Sequence, residues 1–230
     1  MKLSLFVIIA VVAVVCQGQL APQKNYEIKV NVQPIDVATI AQMGLNVMIS
    51  ANQVISDGYN TILTSFSPWT KNFVEYNSTG ISVFAAINTT DLQPVFVGDY
   101  QYSSAGYLYT FDGSTFNYGI SSDFVKKNQF GILNNDDDIY FFGLAQDISV
   151  NGDAIARSPL FSFGMMEYEH IVFTNPTSFS IFLGSNLIET GTAFQNIEDV
   201  AETPVTVFEI TNPKGTITLH FNAQTGKFEI

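Results

Sequence analysis

Cysteine is all but missing. The chain of 230 residues has one, Cys16, and it falls inside an N-terminal stretch that reads as a secretory leader. Met1 and Lys2 make a short positive start, Leu3 to Val15 an apolar run, and Cys16-Gln17-Gly18 a small-residue boundary before Gln19. That run is shorter than the roughly 20 apolar residues a membrane-spanning helix needs. Residues 1–18 are therefore expected to be a signal peptide, leaving a secreted, extracellular chain without cysteine. Such a chain has no disulfide scaffold, no thiol nucleophile and no thiolate metal site. Its stability must come from its core.

Basic residues are also scarce: 9 Lys and Arg stand against 21 Asp and Glu, for a net charge of −12. Loss of Lys2 with the leader deepens the deficit. So acidic a surface repels phosphates, which argues against nucleic acid and anionic lipid as partners. After the leader no apolar stretch is long enough to anchor the mature chain, and Gly226 to Ile230 lacks the apolar tail of a lipid-anchor signal.

Catalytic motifs are missing as well. There is no Gly-x-Ser-x-Gly elbow, no His-Glu-x-x-His pair and no phosphate loop, and no cofactor is expected. The chain has two histidines. His220 is expected on a strand opposite Glu229, and Glu167-Tyr168-Glu169-His170 reads as a strand whose carboxylates and imidazole point to opposite faces. Asn134 to Asp138 is the densest run of oxygen ligands. It fails the EF-hand pattern, with Ile139 where the turn glycine belongs and Ala145 where the closing glutamate belongs, so it reads as an exposed turn and no metal site is assigned.

What the chain does have is apolar residues. They make up 47% of it against 13% charged, with mean hydropathy +0.20, which excludes a disordered chain. No linker divides it, and 19–230 reads as a single β-rich globular domain. Tyr26 to Val32 alternates apolar with polar residues as a half-buried strand does. Asp36 and Gly58 sit where helix start and stop signals belong, and no charge falls between Asp36 and Asp57, so 37–56 is predicted to be one covered helix. Beyond Gly58, short strands alternate with turn residues, with a short helix over 193–201. The expected fold is mainly β (α+β), with antiparallel sandwich- or barrel-like sheets and one long, mostly buried helix near the N-terminus.

Two hairpins have a readable register. Asp112-Gly113 as a two-residue turn pairs Phe111 with Ser114 and Tyr109 with Phe116, placing Tyr107, Tyr109, Phe111, Phe116 and Tyr118 on one face. This aromatic ladder is either cross-strand core packing or a platform for sugar rings, with the tyrosine hydroxyls as hydrogen-bonding groups. Near the C-terminus, a turn at 212–215 pairs Ile210 with Ile217 and Phe208 with Leu219, and a loop at 223–226 pairs Phe221 with Phe228. The resulting meander turns His220 outward between Val207 and Glu229. Asn77 and Asn88 head N-glycosylation sequons expected in turns on either side of a strand at 81–87.

These features point to a secreted, acidic, non-catalytic extracellular glycoprotein that binds a glycan, a small apolar molecule or a protein, or serves a structural role. Two alternatives differ in what they require. A hydrolase using carboxylates needs two acids converging in a concave pocket, and no motif selects such a pair. A carrier of hydrophobic ligands needs an enclosed apolar cavity.

Overall fold

A computed structural model describes residues 25–52, 58–210 and 215–230. The expected leader and most of the 212–215 turn lie outside these residues. The elements are β1 (Asn25–Asn31), α1 (Pro34–Gln42), β2 (Leu45–Ala51), β3 (Tyr59–Phe66), β4 (Lys71–Ala86), β5 (Val97–Tyr102), β6 (Tyr107–Phe111), β7 (Ile120–Ser121), β8 (Gln129–Asn134), β9 (Tyr140–Val150), β10 (Asp153–Pro159), β11 (Phe161–Met165), β12 (His170–Thr174), β13 (Ser178–Ser185), β14 (Ala193–Phe194), β15 (Thr206–Glu209), β16 (Thr216–Asn222) and β17 (Lys227–Glu229). No described helix is long and apolar enough to cross a membrane.

The chain is mainly β, as expected. One sheet runs β15-β13-β2-β3-β11-β9-β4-β1-β16-β17, with β5, β10 and β14 branching from it. It curls into a nearly closed barrel. Its two ends approach where the Thr206 hydroxyl donates to the Phe228 carbonyl at 2.6 Å. Pairing within it is antiparallel except between β1 and β16. A second sheet, β12-β8-β6-β7, adds Tyr109, Phe111, Phe130 and Phe173 to the same core.

Alternation explains strands such as β1, where Ile28 and Val30 are buried between the half-exposed Glu27 and Lys29. Val30, Val47, Ile49, Val83, Leu144 and Leu219 are fully buried in the main core, each contributing about 1.5–3 kcal/mol by leaving water. Other strands are covered on both faces. Met48, Ile62 and Phe182 pack with Phe194 and Val200, while Phe84 and Ala145 pack under Val95, Val97 and Tyr100. Two-sided burial produces continuous apolar runs, which have no readable period.

That ambiguity accounts for the main correction. α1 has 9 residues, of which only Ile40 is buried, so it is neither long nor mostly covered. The chain turns at Gly44, φ +68, into β2, a central strand between β13 and β3. The charge-free run is thus covered as a strand. Likewise 193–201 holds β14 and a single 3-10 turn, Ile197–Asp199, in place of a helix. The strand expected at 81–87 is the second half of a longer one, β4, whose pairing with β9 shifts between Tyr76 and Ile81. Gln146, buried at that bulge, donates to the carbonyls of Asn77 and Gly80.

The C-terminal meander is half right. Phe221 pairs with Phe228 and His220 with Glu229. β15, however, pairs with β13, and β16 pairs in parallel with β1, so Phe208 opposes Phe179 and Leu219 opposes Val30. On its other side His220 meets Asn31, where Val207 was expected.

Candidate functional site

The aromatic ladder is divided. Asp112 Oδ1 accepts the N–H groups of Ser114 at 3.0 Å and Thr115 at 2.9 Å, and those bonds hold its carboxyl below the usual carboxylate range. Of the two central residues only Gly113 takes positive φ, so the two-residue turn, which needs both, does not form. The wider turn brings Phe111 opposite Phe116 and Leu108 opposite Ile120. Tyr109, Phe111 and Phe116 are buried, whereas Tyr107 and Tyr118 are exposed. The five therefore present no common stacking face.

The other marked residues are placed just as plainly. Glu167 to Glu169 form a turn rather than a strand, with Tyr168 at φ 57 and its hydroxyl on Asp137 at 2.8 Å. Asn134 ends β8 and is wholly buried, donating to the carbonyls of Asp138 and Met166, so the expected exposed turn is Asn135 to Asp138 alone, and no group of three metal-ligating side chains occurs among the described residues. Asn77 sits on β4 rather than in a turn, its Oδ1 accepting from the Thr79 N–H and hydroxyl. Asn88 is exposed beyond the strand end, donating to Thr90.

The structure does bring two carboxylates together. Glu27 and Glu75 stand opposite each other on β1 and β4, flanked by Thr216 and Ser149 in one row. They border a groove of about 520 Å³. Thr216 and Lys29 Nζ, at 3.1 and 3.3 Å, hold Glu27, and Ser149 donates to Glu75 at 3.3 Å. Hydroxyls and an ammonium surround the pair, unlike the apolar pocket in which a carboxyl serves as general acid. Between Leu63, Tyr76, Leu160 and Phe179 the enclosed apolar space leaves no room for a water molecule.

A different place sets an exposed aromatic residue beside polar groups. Trp69, the chain's single tryptophan, sits in the tight connection between β3 and β4. Buried Asn72 clamps it, accepting the Trp69 N–H and donating to the Trp69 carbonyl, both at 2.8 Å. Asn72 also donates to Val30 O at 3.0 Å, and Asn151, at φ 53, ties the β9–β10 turn to the same asparagine at 3.3 Å. The backbone is fixed while the residue stays 63% exposed. Beside it lies a groove of about 260 Å³ between the ends of β3 and β10, walled by Phe66 and Ile155 and edged by Ser65, Ser67 and Asp153. Thr64 also lines it, wholly buried, its hydroxyl without a hydrogen-bond partner among the described residues. Buried polar groups are rarely left so. Sequence reasoning passed over this site. Its one local signal is a lone tryptophan after Pro68, in a turn with no other reason to carry a large apolar ring.

No protein-family model, no curated protein and no solved structure matches the chain. The geometry is what a functional reading rests on.

Proposed function

We propose that the chain is a secreted, non-catalytic carbohydrate-binding protein whose site is the Trp69 groove. The observation that carries this reading is an exposed tryptophan, its backbone clamped by Asn72, at the rim of a groove edged by hydroxyls and a carboxylate. A sugar ring has an apolar face of C–H groups and a rim of hydroxyls. Trp69 matches the first, and Asp153, Ser65 and Ser67 match the second. At about 260 Å³ the groove falls just below the roughly 300 Å³ of drug-sized pockets, so it takes one ring rather than a chain of them. A purely apolar ligand would leave the Asp153 carboxylate facing it without a partner, whereas the Ser65 and Ser67 hydroxyls already bond to Asn46, at 3.2 and 3.0 Å, and offer a sugar their remaining hydrogen-bonding capacity. The leader and the exposed Asn88 sequon fit an extracellular glycoprotein.

Because Trp69 is the single tryptophan, its fluorescence reads the site directly. Titration with a panel of neutral mono- and disaccharides is expected to give a saturable spectral shift that Asp153→Asn weakens and Trp69→Ala removes from a parallel calorimetric titration. Full binding retained by Trp69→Ala, or no saturable response across a glycan array, would overturn the reading.

A further inference from the structure

The single arginine of the chain, Arg157, occupies the one place where β10 slips against β9, between Ile155 and Ser158. It has φ +55, a conformation that costs a non-glycine residue energy and that tends to persist where function holds it. Four contacts hold it there. Its backbone N–H donates to Asp147 Oδ1 at 2.8 Å, and its carbonyl accepts from the Tyr100 hydroxyl at 3.3 Å. Its guanidinium carbon lies 5.2 Å from the Tyr100 ring centroid and 4.8 Å from that of Tyr102.

The guanidinium is nonetheless uncommitted. Among the described residues no carboxylate lies within ion-pair distance of it, and its N–H groups meet no hydrogen-bond acceptor. The nearby Asp147 is spoken for: one oxygen takes the Arg157 backbone N–H and the other takes the Tyr102 hydroxyl at 3.1 Å. The same carboxylate thus fixes both the arginine backbone and one of the rings under its side chain. Arg157 is half-buried and Tyr102 is 51% exposed, so the fork is reachable from solvent. A planar cation restrained over aromatic rings, with its fork free, is organised for two parallel hydrogen bonds to a carboxylate.

We infer that Arg157, held by Tyr100, Tyr102 and Asp147, is a binding site for a small monocarboxylate such as a uronic acid. The net charge of −12 selects within the anions: a single carboxylate meets far less repulsion than a polysulfate or nucleic acid. The site shares no residue with the lining of the Trp69 groove and stands or falls without it.

With one arginine in the chain, the ¹⁵N-labelled protein has one arginine Nε–Hε signal. Titration with sodium glucuronate is expected to move it saturably. Methyl glucoside, and sodium chloride at matched ionic strength, are expected to leave it in place. Arg157→Gly accepts the positive φ and keeps the protein folded. In that variant the glucuronate-induced shifts of the Tyr102 and Asp147 amides should disappear, and Arg157→Lys, which keeps the charge but loses the fork, should bind at least tenfold more weakly. An Nε–Hε signal that glucuronate does not saturate, that chloride moves equally, or glucuronate affinity unchanged in folded Arg157→Gly would each overturn the assignment. The last result would leave the arginine as a packing staple alone.

Discussion

Replacing Phe111 by alanine, next to the same change at Tyr118, tests the division of the aromatic ladder. Phe111 is 3% exposed, and its ring meets Phe116 at 5.1 Å, Tyr140 at 5.0 Å and Phe142 at 5.6 Å. Truncating a buried phenylalanine costs about 3–5 kcal/mol. Three tilted or edge-on ring contacts, each worth about 0.5–1.5 kcal/mol, put this residue in the upper half of that range. At about 2–4 °C per kcal/mol for a domain of this size, the melting temperature should fall by roughly 8–20 °C. Tyr118 is 87% exposed, and its removal should stay within about 0.5 kcal/mol. Urea and thermal unfolding followed by circular dichroism measure both. A loss below about 1 kcal/mol for Phe111→Ala, or equal losses for the two variants, would refute the split between core and surface, since surface substitutions rarely exceed about 0.5 kcal/mol.

Gly143→Ala should destabilise by about 3 kcal/mol or more, the top of the overpacking range, because its Cβ would stand 2.0 Å from the Phe161 carbonyl oxygen and 2.8 Å from the Phe84 ring; a denaturant midpoint close to the parent's would contradict it. Hydrogen bonds lower the Asp112 pKa in the folded chain, so what they add to stability is present above the unfolded value of about 3.9 and is lost as pH falls through the lower folded value. The Ser114 and Thr115 amide shifts should titrate with a midpoint below that of an ordinary aspartate, and Asp112→Asn should flatten the curve. Burial raises the pKa values of Tyr76 and Tyr109, so stability should decline as pH climbs past about 10, where unfolded phenols ionise and these do not. Phenolate absorbance from the two should appear only together with loss of the folded circular dichroism signal, and early ionisation in an intact fold would count against their burial.

Where one face of a strand is wet, the sequence is legible. The Phe221–Phe228 register followed from a short loop and an alternation that tolerates no slip. β2 was illegible for the opposite reason: with both faces covered, Leu45 to Ala51 carries no period, and helix and strand look alike over such a run. The choice of partner strand was illegible as well. Pairing β15 with β16 satisfied every local rule, yet β13 and β1 compete for those edges from far along the chain, and nothing near residue 212 records that competition.

Both candidate sites lie where the alternating pattern breaks. The Trp69 groove is assembled from the end of β3, the turn after it and the β9–β10 turn, segments some 80 residues apart that share no motif. Arg157 sits in the slipped segment of β10, beside the strand whose register against β4 also slips between Tyr76 and Ile81. In a regular ladder each side chain is committed to the core or to solvent by its parity. A bulge releases one residue from that rule and re-aims it. The force that makes this barrel, burial at every second position, therefore cannot by itself place an arginine over two tyrosines. The two proposed sites both use departures from that rule, where a side chain is released from service to the core. On these two proposals the irregular segments are a better guide to function than the aromatic ladder, three of whose five marked rings serve the core.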